Sequence, residues 1–198
     1  MTEFLTPGTG LFFMRVGTHA RESLEQIVER KTAEIEKRGY TFWGYGGNTC
    51  HPVTSVQPFA KDRRASGKSL FLCMEEMVSE RYFGEPLAAA EYSEDGRSWQ
   101  DIPADIEVRG SRYALRIDSL RKSDFILPLE DTRIPVGPSS GRPGSRFVQG
   151  NVDKACLVVE PGAGIQDEYS HRRISLVANL LEPYALMLRN FRPAEHES

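Results

Sequence analysis

Long apolar runs are missing from this 198-residue chain. No stretch approaches the about 20 residues that a membrane-spanning helix needs, so no membrane partner is expected. Cysteine is scarce: Cys50, Cys73 and Cys156 are too few and too scattered for a disulfide framework or a paired-cysteine zinc site. The opening residues, Met1 to Gly8, lack the basic and apolar regions of a secretory signal, and a cytoplasmic protein with reduced thiols is expected. There is no excess of positive charge either. A net charge of −3 leaves no global basic field to hold a polyanion, so binding of nucleic acid would have to be local. Catalytic signatures are absent too: no P-loop, no HExxH, no GxSxG and no zinc-deaminase pair. Gly44-Tyr-Gly-Gly-Asn-Thr49 is not a dinucleotide fingerprint, because Thr49 stands where the third glycine belongs and no periodic helix follows. Nothing implies a cofactor, and no spacing supports a metal site built from His19, His51, His171 and Cys50 or a carboxylate.

What is present is a globular composition, 39% hydrophobic and 27% charged, with enough length for one large domain or a domain with an appendage. Leu11 to Val16 reads as a buried strand entered through Pro7, Gly8 and Gly10. A helix follows: Ser23 and Gln26 have capping-box spacing, Leu24, Ile27, Val28 and Ile35 form one apolar stripe, and Gly39 stops it. With a strand from Tyr40 this is a βαβ pattern, which would make the two strands parallel. Lys61, Arg63, Arg64 and Lys68 form the one compact basic segment, most simply a solvated loop or helix face. Ser69 to Met74 is a short apolar run of strand type. Residues 87–129 read as antiparallel sheet, with turn signals at Glu94-Asp95-Gly96 and Arg109-Gly110-Ser111, and with Tyr113, Leu115 and Ile117 alternating against a wetter face. The Pro- and Gly-rich stretch from Ile134 to Gly144 reads as a loop or a lid. Strands are expected at Phe147 to Gln149 and Ala155 to Val159. After Gly164, apolar residues at 174, 177, 178 and 181 suggest a helix ended or kinked by Pro183, with a last short helix over 184–190. The expected organisation is an α+β sheet domain over 1–164, a helical extension over 165–192 and a disordered tail over 193–198.

The chemistry concentrates in Tyr40-Thr-Phe-Trp-Gly-Tyr-Gly-Gly-Asn-Thr-Cys-His-Pro52. Four aromatics, three glycines and a Cys-His pair share these thirteen residues. A strand running into a glycine loop would present Gly46, Gly47, Asn48, Cys50 and His51, with Trp43 and Tyr45 as flat walls, joined by Trp99. The alternative is a strand whose aromatics fill the core before an ordinary loop. Cys50 and His51 point opposite ways on an extended backbone, so a nucleophilic Cys50 would need another base, His19 or His171. Ser139 to Arg146 carries hydroxyls, loop amides and the guanidiniums of Arg142 and Arg146, groups that hold a phosphate as readily as they solvate a turn.

A short helix between early strands, followed by a curved, mostly antiparallel sheet, resembles the PUA-like folds, including the EVE and ASCH domains. The resemblance is one of element order over residues 10–130 and carries no motif. It implies a half-open barrel and an aromatic cleft that takes up RNA or a modified DNA base, here at the Trp43–Tyr45 loop. Three functions follow as alternatives. One is a binding module for a nucleobase, nucleotide or modified nucleic acid through the aromatics of 42–45, the glycine loop to Asn48 and the basic loops at 61–68 and 142–146, with Arg142 and Arg146. The second is a small-molecule enzyme using Cys50 or His51, and the third is a protein-interaction domain.

Overall fold

Two sheets organise the chain, each at the centre of its own unit. The computed structural model describes residues 3–46, 50–78, 85–150, 152–164 and 170–194. One unit comprises Met1–Val16, Gly47–Glu76 and Arg121–Asn179; the other comprises Gly17–Gly46, Met77–Leu120 and Leu180–Ser198. The class is mixed α/β with sheet-dominated cores, as expected, and neither strand path closes on itself.

In the first unit β1 (Gly10–Val16) pairs in parallel with β3 (Leu70–Glu76) and antiparallel with β9 (Lys154–Val159). β3 is followed outward by the first part of β10 (His171–Pro193), then by β7 (Arg121–Pro128); on the other side β9 pairs with the short β8 (Thr132–Arg133). Leu11, Phe12, Phe13 and Met14 alternate between faces, yet three of them are fully buried and Met14 is partly so. That burial requires both faces to be covered. One face, with Phe12, Leu72 and Cys156, meets Phe59 of α2 (Gln57–Ala65), which follows a π-helical turn over Pro52–Val56. The other face, with Leu11, Phe13, Cys73, Ala155 and Leu157, packs on Phe4, Phe125, Leu127, Leu129, Ile134 and Val148.

In the second unit β2 (Thr41–Gly44) pairs with β6 (Tyr113–Ile117), β6 with the later part of β10, then β4 (Leu87–Ser93) and β5 (Gln100–Asp101), all antiparallel. Phe42, Ala89, Ala114, Leu186 and Leu188 bury one face beneath Ile106 and Val108. Among the described residues no helix is long and apolar enough to cross a membrane.

Several expectations are corrected here. β1 and β2 do not form a parallel pair: the parallel partner of β1 is β3, and β2 pairs antiparallel with β6. The return to β1 is delivered by α2, which precedes β3 directly, so the helix that makes the crossover is the second one. The expected C-terminal helices are strand. Residues 174–178 are apolar enough to satisfy either period, and two ladders, to β3 and β7, decide for strand. Pro183 sits where the register shifts between Leu180 and Ala185, a bulge that needs no amide from it. Residues 147–149 form no strand; Gly144–Phe147 is a helical turn, α3. Of the tail, 195–198 lie outside the described residues, while Pro193 ends β10 and Ala194 is buried.

The first helix, α1 (Leu24–Arg38), forms as read: the Gln26 amide donates to Ser23 Oγ at 3.2 Å, the Ser23 amide donates to Gln26 Oε1 at 2.8 Å, and Gly39 caps it at φ 84°. Its inner face differs from the stripe expected. Leu24, Ile27, Val28 and Ile35 are only partly buried, and the buried residues are Lys31 and Glu34. Ile27→Ala is therefore expected to cost about 1 kcal/mol, below the range for a fully buried isoleucine. A loss above about 3 kcal/mol by denaturant titration would place Ile27 in the core instead.

Candidate functional site

The aromatic stretch is buried on both faces of β2, and of its rings Tyr40 alone stays half-buried. Trp43 and Tyr45 are 4% and 1% exposed, so neither is a free wall for a ligand. The Tyr45 amide donates to the Tyr113 carbonyl at 2.9 Å, extending the edge of β2 along β6. Gly44 is explained by packing: a Cβ there would lie 2.6 Å from Ser111 Oγ. Gly46 is half-buried, and Gly47 and Asn48 lie outside the described residues. His19, in the same unit, shares a hydrogen bond with the Arg109 carbonyl through Nε2 at 3.1 Å.

In the first unit, Cys50 is buried with Sγ 3.1 Å from Cys156 Sγ. His51 is exposed, and its Nδ1 accepts from the Val53 amide at 3.2 Å, opening the π-helical turn. His171 faces Glu130, with Nε2 3.4 Å from a carboxylate oxygen. Arg142 and Arg146 are exposed. The Pro/Gly stretch that carries them is folded back on itself, with the Ile134 amide on the Arg142 carbonyl at 2.9 Å and the Gly141 amide on the Ile134 carbonyl at 2.8 Å. Arg133 braces it, donating to both Glu160 oxygens at 3.0 Å and to the Gly141 carbonyl at 2.5 Å. A Cβ on Gly144 would fall 1.9 Å from Thr132 Oγ1, so glycine there serves close packing. Among the described residues no group of three or more His, Cys, Asp and Glu could hold a metal ion.

Beneath α1 lies an ionic network. Lys31 donates to Glu34 Oε2 at 2.9 Å, to the Glu107 carbonyl at 2.5 Å and to Thr41 Oγ1 at 3.3 Å. Arg30 reaches Glu34 Oε1 at 3.2 Å and Glu22 at 2.6 Å, while the Thr41 hydroxyl donates to Glu34. Burial lowers the Lys31 pKa to about 8, against the opposing pull of Glu34. A lysine so perturbed is a common catalytic device. Here its ammonium is engaged on three sides and only 3% exposed, which makes it part of the packing.

The half-buried groups of the second unit make a different arrangement. Tyr40 leads into β2, and the Arg116 guanidinium lies over its ring at 4.0 Å. Phe42 joins Tyr40 to Tyr92, with ring centroids 5.8 Å and 5.1 Å apart. The Tyr92 hydroxyl donates to Gln100 Oε1 at 3.1 Å, and Tyr92 is held near enough to Tyr40 and Arg116 to feel both; burial, first, and Tyr40 raise its pKa. Arg116 spends one nitrogen on the Glu182 carbonyl at 3.0 Å, and its Nε is buried without a hydrogen-bond partner. The strands place these groups: Phe42 faces Arg116 across β2–β6, and Tyr92 faces Gln100 across β4–β5. Trp99 does not belong here. It lies under the Arg189 guanidinium at 4.0 Å, and Arg189 pairs with Glu91, whose side chain alternates with Tyr92. Arg116, Tyr92 and Gln100 escaped the sequence reading; the lone cation among the apolar residues of β6 was the one signal available.

The fold and this patch define a mixed α/β chain with an aromatic–arginine face on its second sheet. No protein-family model matches the chain, and no curated protein or solved structure is significantly similar to it.

Proposed function

We propose that the protein binds a flat heteroaromatic ring, a nucleobase or nucleoside, on the patch of Tyr40, Tyr92, Gln100 and Arg116. The observation that carries this is the Arg116 guanidinium stacked on Tyr40 with a buried, unpartnered Nε. A guanidinium plane held by a ring is itself a platform for a base, and its N–H groups read acceptors on a base edge. Gln100 and the Tyr92 hydroxyl supply further donors and acceptors. Charge favours the neutral ring over a phosphate: Arg38, whose side chain bonds to Tyr40, is already paired with Asp105, and Glu94 acts on Tyr92. The ligand class is the one that the resemblance to PUA-like domains implies; the place has moved from Trp43 and Tyr45 to the half-buried rings beside them.

Titration with the four common nucleosides, followed by tyrosine and arginine side-chain NMR signals, tests this. Tyr40→Ala is expected to weaken binding by about 5- to 150-fold, the worth of one stacked base. Arg116→Met should do likewise while leaving the far-ultraviolet circular dichroism unchanged. No shift of Tyr40, Tyr92 or Arg116 signals at millimolar nucleoside, or equal binding by Tyr40→Ala, would sink the reading.

A further inference from the structure

We propose that Cys50 and Cys156 are a redox pair that closes into a reversible disulfide, locking the segment that leads into α2 onto the sheet of the first unit. The two sulfurs are 3.1 Å apart and both residues are buried. A bond needs them to close by only about 1 Å, within reach of small side-chain rotations. The fold holds them there from both sides. Cys156 lies on β9 opposite Phe12, in the middle of the covered face. Cys50 immediately precedes His51, whose Nδ1 accepts the Val53 amide at the start of the π-helical turn. Phe59, two turns further on, stacks edge-on against that same Phe12.

The chemistry balances with a peroxide as oxidant. One thiol attacks hydrogen peroxide, becoming a sulfenic acid and releasing water; the second thiol then displaces hydroxyl from that sulfur, forming the S–S bond and releasing a second water. Two thiols lose two electrons and two protons, and the peroxide oxygen is reduced to water. A small dithiol restores both thiols by exchange. Both sulfurs are shielded, and burial together with the neighbouring Cys50 holds the Cys156 thiol well above its usual range. Burial makes the first step slow and contact makes the second fast, so the sulfenic acid is trapped before it is oxidised further. Cys73 is an internal control. It lies on the opposite face of the sheet, in the other core cluster, and burial raises its pKa far above the usual thiol value.

The bond would close a loop between residues 106 apart, long enough for a large entropic effect on the unfolded chain. Its location decides what it would regulate: with the bond shut, the turn and α2 cannot lift from the sheet.

Full-length native protein is treated with hydrogen peroxide, quenched with an alkylating reagent and mapped by mass spectrometry. The expected product has lost two hydrogens, carries a Cys50–Cys156 cross-link and alkylates only at Cys73 after unfolding. Its Tm should rise by about 5–15 °C and fall back on reduction. Cys73→Ser should form the same cross-link, and Cys50→Ser should form none. Three alkylatable thiols after oxidation, or sulfinic acid at Cys50 without a cross-link, would overturn the proposal, and so would a cross-link to Cys73. The wild-type map alone decides the matter if a variant does not fold.

Discussion

Glu34→Ala is expected to destabilise the second unit by about 3–5 kcal/mol, the cost of breaking a buried ion pair from one side. Glu34 is 6% exposed, and its carboxylate receives Lys31, Arg30, the Thr41 hydroxyl and the Glu107 amide. Without it, Lys31 keeps its burial and loses the nearest charge that favours its ammonium form. Both tryptophans, Trp43 and Trp99, belong to this unit, so the intrinsic fluorescence transition in urea reads it directly. Adding Lys31→Met to Glu34→Ala should recover part of the loss, because an apolar pair avoids the desolvation that the ions suffer.

The same lysine sets a pH dependence whose sign follows from its depressed pKa. The folded chain releases the Lys31 proton near pH 8, the unfolded chain near 10.5. Between those values the unfolded state binds more protons, so stability rises with pH. The penalty of the buried ammonium is full below pH 8 and relieved by 10.5, by at most about 3 kcal/mol. Lys31→Met should lack this rise. A Glu34→Ala midpoint equal to wild type would show that the network is solvated and that α1 packs through its apolar stripe.

How far the sequence could be read depends on the range of the interactions involved. The limits of α1 were plain because capping box and glycine stop are local devices. What α1 buries was not plain. Lys31 and Glu34 occupy the same side of the helix as Leu24, Ile27, Val28 and Ile35, and an i,i+3 charge pair reads identically in a core or in water. β10 reads as helix because its apolar spacing suits a helix as well as a strand, and the deciding ladders come from residues more than forty positions away. The parallel pairing of β1 failed for the same reason. As for the candidate site, the aromatic stretch contains one ring of the proposed patch, Tyr40. Alternation alone could not say which rings stay half-exposed, since both faces of β2 are covered and only Tyr40, at its start, remains half-buried.

Phe12→Ala is expected to cost the first unit about 3–5 kcal/mol. Phe12 is fully buried in the middle of β1, between β3 and β9, so the sheet backbone cannot collapse into the space. Its ring is met edge-on by Phe59 at 5.5 Å and 88°. Phe59→Ala should cost a similar amount, because it and Ala60 are the buried side chains of α2. The double variant should lose less than the sum by about 0.5–1.5 kcal/mol, the coupling of an edge-to-face pair. All three cysteines belong to this unit, so the rate at which they become alkylated in denaturant follows its unfolding separately from the tryptophan signal. The same measurement settles the meaning of the basic segment. Lys61 and Arg64 are exposed, whereas Arg63 donates to the Gly8 carbonyl at 3.0 Å and lies over the Phe59 ring. Charge reversal at Lys61 and Arg64 should leave thiol exposure unchanged, whereas Phe59→Ala accelerates it. Additive losses for Phe12→Ala and Phe59→Ala, or thiol exposure indifferent to Phe59→Ala, would show that α2 does not cover this sheet.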